Sequence, residues 1–262
     1  MVLVIIWTSF AVGSLQLYAF VVWNRLFKSD PLAHRHRVDR FLMRWADRIF
    51  AIYTTMMRIK VEYKIPPRSE EHKNRPALVI SNHRSSVDVF ILPLLLRKLG
   101  YAGGRGIVKE SFRWIPIIGR LMIEGRAAFV RRGRDDKDIE RVRAAAQGAR
   151  EDGVCMMIFP EGTVLREPRA GSGLSHVLPP KAGGVHVIRE VLHDYPILSV
   201  TIHSGGIKAQ DGTSIASAGG MYRNGVVIEA EFIEGPGDLS TEEWLNAEWR
   251  RKEKKLAATD VA

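Results

Sequence analysis

Cysteine is nearly absent from this chain of 262 residues, in which Cys155 is the only one. A lone cysteine excludes an intrachain disulfide and is typical of a reducing compartment. Because Cys155 lies inside an apolar run, we expect it to be buried by packing rather than to act as a nucleophile. The chain also lacks the Cys/His spacing of a zinc site, so we predict no bound metal.

Several other patterns are missing, and each absence removes a class of function. The glycine-rich stretch from Gly103 to Gly106 lacks the full phosphate-loop or dinucleotide pattern, so we assign it no nucleotide role and predict no cofactor. No nucleophile elbow surrounds Ser85 or Ser86. Aromatic residues are not interleaved with basic ones as a nucleic-acid stacking platform requires, and we expect no nucleic-acid partner.

Positive charge is in excess, since 39 Lys and Arg residues oppose 29 Asp and Glu residues and give a net charge of +10. Such a balance indicates an anionic partner, namely a membrane surface, a phosphorylated ligand or nucleic acid. Hydrophobic residues make up 46% of the chain, which is enough for a packed core and argues against global disorder.

The first part of the chain, Val2 to Trp23, contains no charged residue. A run of about 20 apolar residues can span a bilayer as a helix. The basic residues that follow it are Arg25, Lys28, Arg35, Arg37 and Arg40. The positive-inside rule then places the rest of the chain on the cytoplasmic side. A secretory signal peptide is the main alternative but requires a basic start. We therefore predict a spanning or half-inserted anchor in the inner or cytoplasmic membrane.

A second helix is predicted after Asp30-Pro31, because arginines there fall on other faces than the apolar residues. The apolar residues, which recur at helical spacing, are Val38, Phe41, Leu42, Trp45, Ile49, Ile52, Tyr53 and Met56. Such a helix either lies in an anionic membrane interface or packs on the core of the domain. The sequence thus divides into a membrane anchor over residues 1–58, made of a hydrophobic and an amphipathic helix, and a globular domain over residues 59–262.

Strands alternate with helices in the globular domain. Apolar or alternating runs predict strands at residues 59–65, 77–80, 127–131, 154–159, 196–202 and 226–233. Helices are predicted at residues 89–96 and 139–150, and a capping box at Ser240 and Glu243 opens the last helix, whose basic run from Arg250 to Lys255 we interpret as a solvated face. The fold class is α/β, with a mostly parallel mixed sheet, antiparallel edges, flanking helices and the membrane-anchoring N-terminal segment.

A histidine lies where the strand at residues 77–80 ends and the next helix begins. His83 is followed five residues later by Asp88, close enough to receive a ring N–H if the turn folds back. A histidine held in one tautomer by a carboxylate is a general base for a hydroxyl group. The alternative is a capping histidine and a first-turn aspartate that favours the helix dipole. Ser85 or Ser86 is placed to cap the helix.

Four blocks in order resemble the glycerolipid acyltransferase family typified by 1-acylglycerol-3-phosphate acyltransferase. Asn82-His83-x-x-x-x-Asp88 is the first, and Phe159-Pro160-Glu161-Gly162-Thr163 is the last. Between them come Gly104 to Lys109 followed by Ile115 to Gly119, and then Phe129-Val130-Arg131-Arg132. The resemblance extends over roughly residues 77–202.

The resemblance implies a membrane-bound O-acyltransferase acting over residues 59–262. It moves a fatty acyl group from an acyl thioester, either acyl-CoA or acyl-carrier protein, to the free hydroxyl of a lysophospholipid. The favoured acceptor is 1-acylglycerol-3-phosphate, which gives phosphatidate. His83 is then the catalytic base and Asp88 its partner, whereas a substrate-binding role is implied for a second group: Glu161, Gly162, Thr163, Arg132, Lys109 and Arg131. The last three are candidates for the lipid phosphate.

One departure from the family pattern affects the acceptor. Many relatives continue Glu-Gly-Thr with Arg-Ser, but here Val164-Leu165 follow and Arg166 comes two residues late. This admits a lysophospholipid with a larger headgroup as an alternative acceptor. Two other classes stay open, namely a hydrolase that uses Ser85 or Ser86 and a membrane-tethered basic binding protein without catalysis.

Overall fold

The computed structural model describes residues 30–67, 72, 75–85, 87–115, 118–131, 136–165, 169–204 and 225–260, and before them residues 8, 11–13, 15, 16, 18, 19, 22 and 23. The chain divides into two compact units. The first unit comprises Met1–Tyr53 and Phe90–Met157, and the second comprises Thr54–Val89 and Ile158–Ala262.

Helices and strands alternate along the described chain. The helices are α1 (Pro31–Met56), α2 (Asp88–Lys98), α3 (Ile118–Glu124), α4 (Asp136–Asp152), α5 (Ala182–Val191) and α6 (Thr241–Asp260), with a 3-10 helix at Glu110–Trp114. The strands are β1 (Lys60–Lys64), β2 (Leu78–Ser81), β3 (Gly104–Lys109), β4 (Ala128–Val130), β5 (Cys155–Ile158), β6 (Ile197–Ser204) and β7 (Gly225–Ile233).

In the second unit the strand order is β1-β7-β6-β2. Strand β6 is buried along its whole length and pairs parallel to β2 and antiparallel to β7. Strand β1 has the alternating burial of a half-exposed strand and pairs parallel to β7. Helix α6 contacts both β6 and α5. The parallel pairing of β2 with β6 places the C-terminal ends of these two strands side by side, which is where a site is expected in an α/β sheet.

In the first unit β3 lies between β5 and β4 and is parallel to both. Helix α4 contacts β3 and β4. Cys155 opens β5 and is completely buried, so the prediction of a packed rather than exposed cysteine is confirmed.

Helix α1 packs its apolar face inside the first unit. Val38, Trp45 and Ile49 form a buried cluster with Leu121, and the ring of Trp45 lies 6.3 Å from that of Phe90 between centroids. Burial of these side chains in protein is the arrangement expected of the core-packed alternative, rather than of a helix lying in a membrane interface.

The predicted α/β class with a mixed sheet and flanking helices is confirmed, and all six predicted strands are present. The predicted antiparallel edge is present in the second unit, where β1 and β7 run antiparallel to β6 and β2. It consists of two strands rather than one, because β1 pairs parallel with β7. Strands β6 and β7 are consecutive in the chain and adjacent in the sheet, and neighbours of that kind commonly run antiparallel.

The predicted membrane segment, Val2 to Trp23, lies largely outside the described residues. Those of its residues that are described are helical. In the part of the chain that the structure describes, no helix is both long and apolar enough to traverse a bilayer. Membrane anchoring and the division at residues 58 and 59 therefore stay predictions.

Candidate active site

The site begins with Asn82, the residue directly after β2. Its side-chain amide donates from Nδ2 to the carbonyl oxygen of Ile202 at 3.0 Å and accepts at Oδ1 from the N–H of Ile202 at 2.8 Å. The completely buried amide of Asn82 therefore continues the β2–β6 ladder by one further pair of hydrogen bonds. This pairing fixes the position from which the next residue, His83, leaves the sheet.

His83 and Asp88 are in direct contact. Nδ1 of His83 lies 3.0 Å from Oδ2 of Asp88, and the same oxygen accepts the backbone N–H groups of Arg84 at 2.7 Å and Ser85 at 2.8 Å. Because a carboxylate only accepts, Nδ1 carries a proton, and in the neutral ring this assigns the lone pair to Nε2. The ring stacks on Phe159 with its centroid 4.2 Å away, which holds its plane. The His83 side chain is 11% exposed, so the ring is not sealed from solvent.

Ser85 caps the start of α2 as predicted. Its Oγ accepts the N–H of Val87 at 3.2 Å, which is an N-cap contact, and the Asp88 carboxylate accepts the N–H of Ser85 in return. Ser85 is completely buried. A hydroxyl used in this way supports the helix, and its contacts with described residues include no base that would activate it as a nucleophile. Ser86, the other candidate of the hydrolase alternative, lies outside the described residues.

Glu161 lies directly behind the histidine. Its side chain is 2% exposed, and Oε1 accepts the backbone N–H of His83 at 3.3 Å and the indole N–H of Trp249 at 3.2 Å. Burial raises the pKa of Glu161 to about 8, against hydrogen bonds from the backbone of Leu178 and of His83 and from Trp249, and the charge of Asp88 adds to the rise. The expected proximity of Glu161 to His83 is confirmed. Its binding of a glycerol hydroxyl stays a prediction.

Trp249 is a component of the site that sequence reasoning missed. It lies in α6, is completely buried, and connects that helix to Glu161 through the indole N–H. Leu245 and Leu256 of α6 are buried as well, so a helical repeat of apolar residues marks the face that packs inward. That repeat could have indicated a buried Trp249. It could not have indicated that the indole N–H donates a hydrogen bond to Glu161.

The residues after Glu161 form a tight turn. Gly162 has φ +73°, a left-handed conformation that glycine adopts at little cost, and a Cβ there would meet the Lys181 ammonium at 3.4 Å. Thr163 is exposed. Leu165 is buried and donates its backbone N–H to the carbonyl oxygen of His83 at 2.8 Å. Both peptide groups of His83 are thus held by this loop, through Glu161 and Leu165.

The predicted phosphate-binding residues belong to the first unit or to undescribed positions. Lys109 is exposed at the end of β3. Arg131 is exposed, its guanidinium contacts Glu110, and its N–H donates to Asp138 at 2.9 Å. Arg132 lies outside the described residues. A role of these three side chains in holding a lipid phosphate therefore stays a prediction.

The grouped side chains suit proton transfer. Among the described residues, no three His, Cys, Asp or Glu side chains are grouped so as to hold a metal ion. An imidazole with one nitrogen bound to a carboxylate and the other unblocked can accept a proton from a hydroxyl group and return it later. This chemistry needs only residues on the described loops.

The comparison with solved structures supports the fold. The crystal structure of the 1-acyl-sn-glycerophosphate acyltransferase PlsC from Thermotoga maritima aligns with a TM-score of 0.56 at 20% identity, over 94% of this chain and 93% of that one. A likeness at that identity establishes the architecture.

Curated relatives carry a common name. The 1-acyl-sn-glycerol-3-phosphate acyltransferase of Limnanthes alba is 26% identical over 178 residues, which are 68% of this chain and 55% of that protein. The enzyme of the same name from Haemophilus influenzae is 28% identical over 161 residues, which are 62% of this chain and 59% of that protein. The chain spans little more than half the length of these relatives. The family profile described as Acyltransferase matches residues 58–203, more than half of the chain, and the chain therefore belongs to the acyltransferase family.

Proposed function

We propose that this chain transfers a fatty acyl group from a thioester to the free hydroxyl of 1-acylglycerol-3-phosphate, giving phosphatidate. The observation that carries the proposal is the 3.0 Å contact between Nδ1 of His83 and Oδ2 of Asp88, in a chain of the acyltransferase family. The choice of acceptor follows the names of the relatives given above, which are 1-acyl-sn-glycerol-3-phosphate acyltransferases.

In this mechanism Nε2 of His83 removes the proton from the acceptor hydroxyl as its oxygen attacks the thioester carbonyl carbon. Asp88 stabilises the imidazolium that forms. The C–S bond then breaks, the thiolate leaves, and the imidazolium returns the proton to the thiolate. A general base contributes about a hundred- to ten-thousandfold to such a step. Because the thiol is a good leaving group, the mechanism requires no covalent enzyme intermediate.

The carboxyl of Glu161 and the N–H of Leu165 hold the backbone of His83 in this scheme. A base in a fixed orientation lowers the entropic cost of reaching the reactive geometry. We assign Glu161 first to this support and second to the acceptor, with Gly162 leaving room for close backbone approach to the glycerol.

A lysophospholipid with a larger headgroup is the second candidate acceptor. Where many relatives carry Arg-Ser after Glu-Gly-Thr, this chain has Val164-Leu165, and Leu165 is buried. Apolar side chains at these two positions cannot bind a phosphate. This observation favours an acceptor whose phosphate is bound elsewhere or is masked by a substituent.

The proposal includes a membrane location and an anionic donor. The uncharged segment Val2 to Trp23 supports an anchor in the inner or cytoplasmic membrane, and the basic residues after it support a catalytic part on the cytoplasmic side. The net charge of +10 suits both acyl-CoA and acyl-carrier protein as donors.

The test is acyl transfer by the purified full chain to a panel of lysophospholipids, with acyl-CoA and acyl-carrier protein as alternative donors. We expect transfer to lysophosphatidate, and a loss of about a hundredfold or more in His83→Ala. The matched control is His186→Ala, because His186 is exposed on α5 in the same unit. Unchanged turnover in His83→Ala at equal protein level contradicts the assigned base, and product with larger headgroups alone selects the second acceptor.

The anchor is tested separately by vesicle flotation. The exposed residues Leu15 and Val22 lie in the apolar segment, so Leu15→Glu with Val22→Glu should release the protein from anionic vesicles. Full retention of this double variant on the vesicles contradicts anchoring by that segment, whatever the outcome of the transfer assay.

A further inference from the structure

A basic cavity of about 280 Å³ lies in the first unit. None of the described residues that line it is acidic, and four of them are arginines, namely Arg105, Arg113, Arg126 and Arg141. Its remaining lining is small or aromatic, with alanines of β4 and α4, Gly148 and Phe129. No step of the proposed acyl transfer uses these arginines.

Buried carboxylates outside the lining hold one side of the cavity rigid. Arg105 is 1% exposed and donates from Nη1 to Asp39 at 2.5 Å and from Nη2 to Asp152 at 2.7 Å. Arg126 donates from Nη1 to the same oxygen of Asp152 at 2.6 Å, and Arg35 contacts the other oxygen at 2.8 Å. Three guanidinium groups therefore share two carboxylates, an excess of one positive charge within this cluster.

Another lining residue offers a cation that the described carboxylates leave unneutralised. Arg113 is exposed on the 3-10 helix, and its guanidinium carbon lies over the ring of Phe129, 5.0 Å from the centroid. Its contacts among the described residues include no carboxylate. Arg141 donates to the carbonyl oxygen of Phe129 at 3.3 Å and to Asp138 at 3.2 Å. Phe129 thus orients two of the four guanidinium groups.

Small residues complete the lining beside these guanidinium groups. Ala144, Ala145 and Gly148 of α4 form the floor. A Cβ added at Gly148 would stand 3.3 Å from Nη2 of Arg126, so glycine lets that guanidinium lie against the helix. The volume accommodates one or two phosphate groups with a small substituent and is below the range typical of pockets for larger ligands.

We propose that this cavity binds a phosphate ester. Guanidinium groups match phosphate oxygens with paired N–H donors, and here four of them line one space with no acidic residue in the described lining. The carboxylates that pair with Arg105, Arg126 and Arg141, including Glu110 at 3.5 Å from Arg141, lie outside that lining. The chemistry has two sources, a soluble phosphorylated compound or the headgroup of a phospholipid. The inference goes beyond the acyl transfer proposed above and requires none of its steps.

Titration calorimetry of the full chain with pyrophosphate tests the soluble source. We expect saturable binding that weakens with salt, and about tenfold weaker binding in Arg113→Ala, the loss typical of one charge-assisted contact. Within the described residues the Arg113 guanidinium contacts the ring of Phe129 and no carboxylate, so we expect its removal to leave the fold intact. Arg40→Ala is the matched control, because Arg40 is exposed on α1 in the same unit, and it should bind as the parent does.

A second variant adds charge instead of removing it. Ala145→Glu brings a carboxylate to the floor of the cavity while keeping a residue that favours helix, and it should weaken pyrophosphate binding at least as much. Vesicles of phosphatidate and of phosphatidylcholine test the lipid source, since dependence on Arg113 with phosphatidate vesicles alone identifies a headgroup. Equal behaviour of Arg113→Ala, Ala145→Glu and the parent in both arms overturns the proposal, as does an equal loss in Arg40→Ala.

Discussion

Two regions of this protein each bury a pair of carboxylates, and they satisfy them in opposite ways. In the loops of the candidate active site, Asp88 and Glu161 are bound by peptide N–H groups, an imidazole and an indole. In the first unit, Asp39 and Asp152 are bound by arginines. All four side chains are at most 3% exposed, so burial alone does not distinguish the two regions.

The partners decide what each region can do. Arginine keeps its charge over the whole working range of pH, so the cluster around Arg105 is a fixed set of charges. Burial raises the pKa of Asp39, and Arg105 opposes that rise. Glu161 has only neutral donors as hydrogen-bond partners in its described contacts, and its pKa rises to about 8. The region without a permanent cation on its acids is the one in which a proton can move.

The largest expected effect comes from Asp88→Asn. The amide keeps an oxygen for the N–H groups of Arg84 and Ser85 but cannot stabilise an imidazolium, so kcat should fall by about a hundredfold or more while the protein stays folded. Asp152→Asn is the matched change in the arginine cluster, and it should lower the melting temperature rather than kcat per folded molecule. Similar losses of kcat in both variants would remove the distinction between the regions.

Breaking the arginine cluster should instead cost stability. Arg105→Met leaves two buried carboxylates without their shared partner, and we expect a loss of about 3–5 kcal/mol in the free energy of unfolding. Urea unfolding measures this, with Arg40→Met as the exposed control. A loss no larger than that of the control would indicate that water enters the cluster and that the carboxylates are not held by Arg105.

Trp249→Phe tests whether the hydrogen bond from Trp249 to Glu161 helps to hold the backbone of His83 in place. The ring stays but the N–H to Glu161 is lost, which corresponds to about 1 kcal/mol or roughly a fivefold decrease in kcat with KM unchanged. Trp244→Phe is the control on the same helix, because that indole donates to the carbonyl oxygen of Glu234 instead. Equal effects of the two substitutions would reduce Trp249 to a packing residue.

The last expected effect is on the pH dependence of stability rather than on kcat. Because the pKa of Glu161 is raised from 4.5 to about 8, the folded state holds a proton that the unfolded state has lost between those values, and stability falls as pH rises through that window. Glu161→Gln has no such proton and should show a flatter curve. Melting temperatures of the parent and of Glu161→Gln at pH 5 and pH 8 test this, since each kcal/mol of stability shifts the melting temperature by about 2–4 °C. The same pH dependence in both proteins would contradict the raised pKa.

Local patterns in the sequence carried much of this arrangement. The apolar run before Asn82 and the helix after Asp88 place His83 at a strand-to-helix turn, and the contact between His83 and Asp88 follows from that turn. The capping role of Ser85 followed from the same reasoning. The contact between Glu161 and the backbone of His83 depended on two strand ends meeting, which the resemblance to a known family indicated and spacing alone could not.

Contacts from distant elements could not be anticipated. The basic run from Arg250 to Lys255 was interpreted as a solvated face, and for Lys252 this interpretation is wrong. Lys252 is completely buried and donates to the carbonyl oxygen of Val200 at 2.6 Å and to Thr201 at 3.2 Å. Burial lowers its pKa to about 8. A lysine between charged neighbours reads as exposed until the strand beneath it is known, because carbonyl acceptors leave no signature in the sequence.

The amide of Asn82 has a kinetic consequence. The Asn82 side chain accepts the N–H of Ile202 and donates to its carbonyl oxygen, and all eight residues of β6 are buried. The N–H of Ile202 therefore becomes accessible to solvent only when its hydrogen bond to Asn82 breaks. The hydrogen-exchange rate of the Ile202 N–H therefore reports how often the turn that carries His83 opens. We expect it to exchange as slowly as the middle of β6, which would give the turn that carries His83 the lifetime of the sheet rather than that of a surface loop.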